Sequence, residues 1–180
     1  MIVLKFGGTS VQDAAWMDKV FDIAADQINR APVLVISAMS KLTDTLLEIA
    51  SCSETGDEQQ ATKLIEEVRE KHISTADEFL TGSNLIDALS KIKTHIEKLA
   101  SLSKGLLLLR ECTLRSSDTL VSFGEILSTT LLYYRARERG ISAELLDSRD
   151  FIVTDSEFSE AAPIFNKTNK KITDLVHPEA

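Results

Sequence analysis

Hydrophobic residues in the first 36 positions predict a strand, a helix and a second strand. Residues 2–6 form a short apolar run that stops at Gly7-Gly8, where Thr9 or Ser10 could cap a helix. Apolar residues then recur at helical spacing: Met17, Val20, Phe21, Ala24 and Ile28. The run at 33–36 is continuously apolar, which is typical of a strand covered on both faces of a parallel sheet. These elements predict a right-handed β-α-β unit.

The pattern becomes helical from about residue 44 to residue 110. Apolar residues recur at helical spacing in two stretches: Ala61, Leu64, Ile65, Val68, Ala76 and Phe79, then Leu85, Leu89, Ile92, Ile96 and Leu99. The segment Thr81-Gly82-Ser83-Asn84 between them indicates a helix stop and restart. We expect an antiparallel helical excursion that covers the sheet or forms a partner surface. Its charged residues are expected on a solvated face.

The last part of the chain predicts one more helix and two short strands. A helical stripe begins near Ser117 or Asp118 and ends at Gly140, with apolar positions Leu120, Phe123, Leu127, Leu131 and Tyr134. Residues 143–146 and 151–153 are strand candidates, and the tail from 156 to 180 is weakly patterned. The order of elements predicts an α/β fold.

Charge and cysteine content narrow the classes of partner. The chain has 20 basic and 28 acidic residues and a formal charge of −8, which argues against a nucleic-acid or anionic-membrane partner. Any anionic ligand therefore needs a local positive pocket. Cys52 and Cys112 lie far apart without Cys-x-x-Cys spacing, so neither a disulfide framework nor a zinc site is indicated. The opening residues are typical of a strand and not of a targeting signal, and we expect a cytoplasmic protein.

The first candidate site is the segment from Lys5 to Ser10. It places a lysine at the end of a strand, followed by two glycines and a helix start, which is an arrangement that binds anions. The lysine would neutralise charge on a transferred phosphoryl group. The segment is neither a Walker loop nor a dinucleotide-binding glycine motif. A purely structural glycine turn is equally compatible with these residues.

Two further segments carry polar residues where a ligand could bind. Residues 37–43 follow the second strand, where the ligands of open α/β sheets gather, and Ser37 and Thr43 could line a pocket. Alternatively, Ser40 or Thr43 only caps the next helix. Glu125 stands among apolar neighbours, and burying its carboxylate without a partner would be costly. A bound ammonium group or a nearby lysine would pair with it, unless Glu125 simply faces solvent.

The histidines do not suggest a catalytic or metal-binding role. His72, His95 and His177 lack metal-ligand spacing and have no evident acidic partner, and we predict no metal site. The absence of a catalytic histidine is compatible with a kinase whose acceptor is a carboxylate. That nucleophile is already ionised near neutral pH and needs no general base.

Three motifs, in order, resemble the aspartate kinases of the amino acid kinase family: Lys5-Phe6-Gly7-Gly8-Thr9-Ser10-Val11, the 35–43 segment, and Ser122-Phe123-Gly124-Glu125-Ile126-Leu127-Ser128. The resemblance implies a three-layer αβα sandwich with a mainly parallel sheet, present here in incomplete form, plus the helical excursion at about 44–110. It also implies a phosphate- and nucleotide-binding loop formed by Lys5, Gly7, Gly8, Thr9 and Ser10, with Lys5 as the catalytic residue.

The resemblance further implies that Ser37, Thr43 and Glu125 bind the amino-acid substrate, Glu125 through the α-ammonium group. The implied reaction transfers the γ-phosphoryl group of ATP, with Mg²⁺, to the β-carboxylate of L-aspartate. The product, aspartyl phosphate, leads to lysine, threonine and methionine. We also expect a homo-oligomer.

Similar enzymes continue with the strands and loops that hold the nucleotide, a second substrate-binding arginine, and regulatory ACT domains, and some are fused to a homoserine dehydrogenase. We therefore expect residues 1–180 to be the N-terminal, amino-acid-binding portion of a kinase domain, inactive alone. Arg149-Asp150 lies near the pocket by analogy, without an assigned role. A kinase for another small acid, such as glutamate or carbamate, and a non-catalytic amino-acid-binding or assembly module remain alternatives.

Overall fold

Two parallel strands and seven helices make up the computed structural model, which describes residues 1–176. Their bounds are β1 Ile2–Phe6, α1 Ala14–Ala25, β2 Pro32–Ile36, α2 Leu42–Thr55, α3 Glu58–Phe79, α4 Gly82–Leu109, α5 Leu114–Val121, α6 Phe123–Glu138 and α7 Phe165–Val176. His177, one of the three histidines considered above, lies outside the described residues. None of the helices within residues 1–176 combines the length and apolar character needed to cross a bilayer.

The predicted β-α-β unit is confirmed, but only one face of its sheet is covered. β1 and β2 pair in parallel, with Ile2 opposite Pro32 and Phe6 opposite Ile36. Phe6 and Ile36 belong to the buried core. On the opposite face Val3 and Val35 are 60% and 48% exposed, so the expectation that the second strand is covered on both faces is wrong within the described chain. The helix-rich fold with its small parallel sheet is consistent with an incomplete αβα sandwich.

The helical excursion is confirmed and spans α2 to α4, residues 42–109. Gly56 ends α2 with a positive φ of 84°, and the Asp57 side chain then caps α3 by accepting the Gln60 N–H at 3.0 Å. Only Leu80 and Thr81 separate α3 from α4, so the predicted stop and restart are in place.

Several local predictions are wrong. The single helix expected over 117–140 is divided at Ser122, whose hydroxyl donates to the Thr119 carbonyl at 2.7 Å. Residues 143–146 and 151–153 form no strand, and the pairing beside them is limited to an isolated antiparallel bridge between Thr154 and Pro163. Residues 165–176 form α7 within the tail that looked weakly patterned. Neither Thr9 nor Ser10 caps α1; Asp13 does, accepting the Trp16 N–H at 2.9 Å.

The C-terminal half of α6 ties three other helices together. Arg135 donates to both carboxylate oxygens of Asp18 on α1, at 2.7 and 3.0 Å, and to the Phe79 carbonyl at the end of α3, at 2.6 Å. Glu138 accepts hydrogen bonds from Thr81 and from Asn84 at the start of α4. These contacts fix the direction in which α6 crosses the molecule.

The N-terminal half of α6 meets the segment after β2 at residue 124, which must be glycine. A Cβ on Gly124 would lie 2.7 Å from the Ala38 Cβ and 3.3 Å from Leu46 Cδ1. The Leu46 methyl group can shift with its side chain, but the Ala38 Cβ can move away only with its backbone, which the densely packed interior resists. The absent side chain therefore sets the distance between α6 and the end of β2.

His72 is the least satisfied polar side chain of the core. Its Nδ1 lies 2.7 Å from the Val68 carbonyl oxygen, and since a carbonyl only accepts, Nδ1 carries the proton. Its buried Nε2 has no hydrogen-bond partner within the described residues. Burial lowers the pKa of His72 from 6.5 to about 4, because the imidazolium would be desolvated.

We predict that Gly124→Ala destabilises the protein by about 1–3 kcal/mol, because the added methyl group overpacks the contact with Ala38. Urea unfolding at pH 7 measures the change. Gly105→Ala is the matched control: it also lies in a helix, and nothing stands within 4 Å of its added Cβ. It should stabilise the fold by up to about 1 kcal/mol, since alanine is the better helix former. Equal effects of the two substitutions would contradict the packing argument.

We predict that His72 causes part of the acid sensitivity of the fold. The folded state resists protonation of His72 between about pH 6.5 and about pH 4, while the unfolded chain takes up the proton. The contribution of neutral His72 is complete above about pH 6.5 and is lost as the pH falls towards 4, up to about 3 kcal/mol. In His72→Leu this loss should disappear, and urea unfolding at pH 7, 5.5 and 4.5 compares the variants. Parallel pH profiles of variant and wild type would rule this out.

Candidate functional site

The loops that follow β1 and β2 pack against each other, backbone to backbone. The Ser37 N–H donates to the Phe6 carbonyl at 3.1 Å and extends the parallel ladder by one bond. A Cβ on Gly8 would lie 2.9 Å from the Ala38 carbonyl oxygen. Glycine at position 8 therefore lets the Gly7-Gly8 loop approach the residues after β2.

The N-terminal turn of α6 adds an acid to this edge of the sheet. Glu125 is half-buried, and its Oε1 accepts the Ala38 N–H at 3.1 Å. Ser128 on the next turn donates to the Ser37 carbonyl at 2.8 Å. The carboxylate that needed a partner is thus held by a backbone amide rather than by a lysine. Its Oε2 has no hydrogen-bond partner within residues 1–176, which leaves one oxygen for a ligand.

Lys5 brings a positive charge to the same loops. Its side chain is exposed, and Nζ lies 3.7 Å from the position that a Cβ on Gly7 would occupy. The ammonium group therefore lies beside the Gly7-Gly8 loop. The Ser10 N–H donates to the Gly7 carbonyl at 2.9 Å and closes a short 3-10 turn over residues 8–11. Gly7 thus precedes this 3-10 turn and Gly8 begins it, so the glycine pair does not lead directly into an α-helix, contrary to the sequence prediction.

Thr9 and Thr43 lie at the margin of the site. Both are exposed, and neither side chain hydrogen-bonds to another described residue. Thr43 is the second residue of α2, so it does not cap that helix, and Ser40 does not cap it either. The residue before α2 is Lys41, which adopts a left-handed conformation with φ 66° and no side-chain cap. The structure therefore brings together Lys5, Gly7, Gly8, Ser37 and Glu125. Thr9 and Ser10 directly follow Gly8 in the sequence, and Thr43 lies six residues after Ser37.

One residue near the site escaped the sequence analysis. Lys71 on α3 donates from Nζ to the Ser40 carbonyl at 2.8 Å, so it does not belong to a solvated face. Burial lowers the pKa of Lys71, and the Lys41 ammonium lowers it further. A signal was present: Lys71 stands three residues after Val68 and four before Thr75, both buried, and so flanks the apolar stripe.

Arg149 lies close to the start of α6. Its guanidinium donates to both carboxylate oxygens of Asp147, at 2.9 and 2.6 Å, and to the Ser122 hydroxyl at 3.1 Å. The hydrogen bonds from Arg149 lower the pKa of Asp147. The charge of Arg149 is thus already paired with Asp147. Arg149 contacts Ser122, which precedes Glu125, but it makes no hydrogen bond to the Glu125 carboxylate.

At this edge of the sheet, Lys5 and Glu125 lie beside the loop backbone, and Lys41 and Lys71 lie in or against the segment that follows β2. An ammonium group beside a glycine loop can neutralise a phosphoryl or carboxylate group, and a carboxylate with a free oxygen can accept from an ammonium ion. The arrangement suits a zwitterionic ligand next to an anion. No cluster of three or more histidine, cysteine, aspartate or glutamate side chains in the described part of the chain could hold a metal ion.

Comparisons with known proteins identify relatives of this chain. Aspartokinase 1, chloroplastic, of Arabidopsis thaliana is 38% identical over 159 residues, which are 85% of this chain and 26% of that protein. The bifunctional aspartokinase/homoserine dehydrogenase 2, chloroplastic, of the same plant is 29% identical over 94% of this chain and 19% of its own length. The chain thus spans about a fifth to a quarter of these curated relatives.

The solved structures that resemble this chain are also aspartokinases. The crystal structure of E. coli aspartokinase III in complex with lysine and aspartate superposes with a TM-score of 0.88 at 26% identity, covering 99% of this chain and 38% of that chain. The complex of the same enzyme with aspartate and ADP gives a TM-score of 0.86. A sequence model of the amino acid kinase family matches residues 1–179. The chain therefore belongs to the amino acid kinase family.

Proposed function

We propose that this chain supplies the amino-acid-binding part of an ATP-dependent kinase that phosphorylates the β-carboxylate of L-aspartate. The observation that carries the proposal is the joint placement of Lys5 and Glu125 at the two loops that end β1 and β2. Support comes from the aspartokinase relatives and from the solved aspartokinase III complexes, which contain aspartate and, in one case, ADP.

In this proposal Glu125 binds the α-ammonium group of aspartate through its free oxygen, while Ser37 and Thr43 contact the same substrate. The β-carboxylate attacks the γ-phosphorus of ATP, a new oxygen–phosphorus bond forms, and the bond to the β,γ-bridging oxygen breaks to release ADP. The attacking carboxylate is ionised near neutral pH and needs no general base. Catalysis therefore depends on positioning and on charge neutralisation, which Lys5 and the Gly7-Gly8 loop provide.

The remaining parts of the activity belong to the proposal as well. ATP is the phosphoryl donor, and Mg²⁺ accompanies it, since magnesium is usually bound through substrate phosphates. The described residues supply little of a nucleotide site, so we propose that the 180-residue chain alone turns over poorly. The pathway assignment to lysine, threonine and methionine synthesis, the homo-oligomer and the cytoplasmic location are extensions of the same proposal.

We predict that the protein at its natural length forms aspartyl phosphate from aspartate and ATP, trapped as the hydroxamate with hydroxylamine. Lys5→Met should lower kcat about a hundredfold or more, because charge on the transferred group loses its neutralising cation. Glu125→Gln should raise KM for aspartate about tenfold to a hundredfold, because the ammonium group loses a charged acceptor.

The control variants are Lys93→Met and Glu97→Gln, an exposed pair on α4 that should leave both constants unchanged. Glutamate and carbamate, offered in parallel, test the alternative acceptors. Hydroxamate formed with one of these acids instead of aspartate would redirect the proposal to that substrate. No acyl phosphate with any acid, from protein shown to be folded, would favour a non-catalytic amino-acid-binding or assembly module.

A further inference from the structure

The segment between β2 and α2, residues 37–41, is here named the substrate loop. Three separate elements hold it. Gly8 packs against the Ala38 carbonyl, Glu125 accepts the Ala38 N–H, and Lys71 donates to the Ser40 carbonyl. The first two contacts come from motifs at the proposed site. The third comes from α3, inside the helical excursion, and has no assigned role in the reaction.

The Ser40 carbonyl accepts no hydrogen bond from its own segment. Lys41 adopts the left-handed region, a conformation that costs a non-glycine residue on the order of 1 kcal/mol and turns the chain abruptly into α2. The Leu42 N–H then bonds to the Met39 carbonyl at 3.0 Å and the Thr45 N–H to the Lys41 carbonyl at 3.2 Å. The backbone hydrogen bonds at the start of α2 thus leave out the Ser40 carbonyl. Within residues 1–176, this carbonyl accepts its hydrogen bond from Lys71.

The environment of Lys71 is unfavourable for a charged side chain. It is partly buried, and Lys41 and Glu67 line with it a cavity of about 130 Å³. Desolvation and the neighbouring Lys41 both disfavour its charged form. The hydrogen bond to the Ser40 carbonyl opposes these two effects, because a charge-assisted bond is stronger than a neutral one. The contact therefore links a charged side chain on α3 to the conformation of the substrate loop.

We propose that Lys71 is a positioning residue for the carboxylate substrate. Through the Ser40 carbonyl it holds the substrate loop, and with it the Ala38 N–H that orients Glu125 and the neighbouring Ser37. The expected effect on KM for aspartate rests on the proposed function, whereas the expected effect on the loop does not. The helical excursion then has a role in substrate binding beyond packing.

The structural part of the inference is tested by hydrogen–deuterium exchange of the natural-length protein, without any assay of activity. In Lys71→Met the hydrogen-bonded amides of Ala38 and Leu42 should exchange about tenfold faster than in wild type, because the loop loses one charged anchor. Lys71→Arg keeps a cationic donor and should restore most of the protection. Lys93→Met on α4 is the exposed control and should leave the loop unchanged. Unaltered exchange of the Ala38 and Leu42 amides in Lys71→Met would overturn the proposal.

The kinetic part separates positioning from general stability. Lys71→Met should raise KM for aspartate about tenfold, with KM for ATP and Tm close to the wild-type values, and Lys71→Arg should restore KM for aspartate. Equal increases in both KM values, or a loss of activity that follows a lowered Tm in both variants, would overturn the role in substrate binding. If wild-type protein phosphorylates no acid, the proposed function fails by itself, and the exchange measurement still decides whether Lys71 anchors the loop.

Discussion

Helix α6 can reach the carboxyl end of β2 because residue 124 has no side chain. That close approach places Glu125 within hydrogen-bond distance of the Ala38 amide and Ser128 within reach of the Ser37 carbonyl. At the other end of the helix, Arg135 fixes its direction through Asp18 and the Phe79 carbonyl. The same helix therefore determines the position of the acid in the site and the arrangement of the surrounding helices.

The charge of the site differs in sign from that of the chain. The protein carries a formal charge of −8, yet Lys5, Lys41 and Lys71 all belong to the loops at one edge of the sheet or contact them. These lysines oppose the repulsion that the net negative charge of the chain exerts on an anionic ligand. Glu125 balances part of the local positive charge, which favours a ligand that carries an ammonium group as well as carboxylates.

Those parts of the fold and site that depend on local sequence could be predicted, and those that depend on distant contacts could not. Apolar spacing revealed β1, β2 and the excursion, and the order of residues from Lys5 to Gly8 revealed a lysine beside a glycine loop. The anion site at that loop stays a prediction. The partner of Glu125 could not be foreseen, because it is a backbone amide 87 residues away. Lys71 was assigned to a solvated face because its acceptor lies 31 residues earlier in a loop of unusual backbone conformation. The candidate strands at 143–146 and 151–153 needed a pairing neighbour that periodicity does not report.

The sequence separation of the α6 contacts has a consequence for the order of folding. The turn between α3 and α4 forms from adjacent residues, whereas Glu125–Ala38, Ser128–Ser37 and Arg135–Asp18 join positions 87, 91 and 117 residues apart. Closing such long loops costs more entropy than closing a helical hairpin, so these contacts form after the local ones. During synthesis from the N-terminus, β1, β2 and the excursion emerge before α6 is complete. The edge of the sheet that carries the candidate site is therefore complete only after α6 has docked.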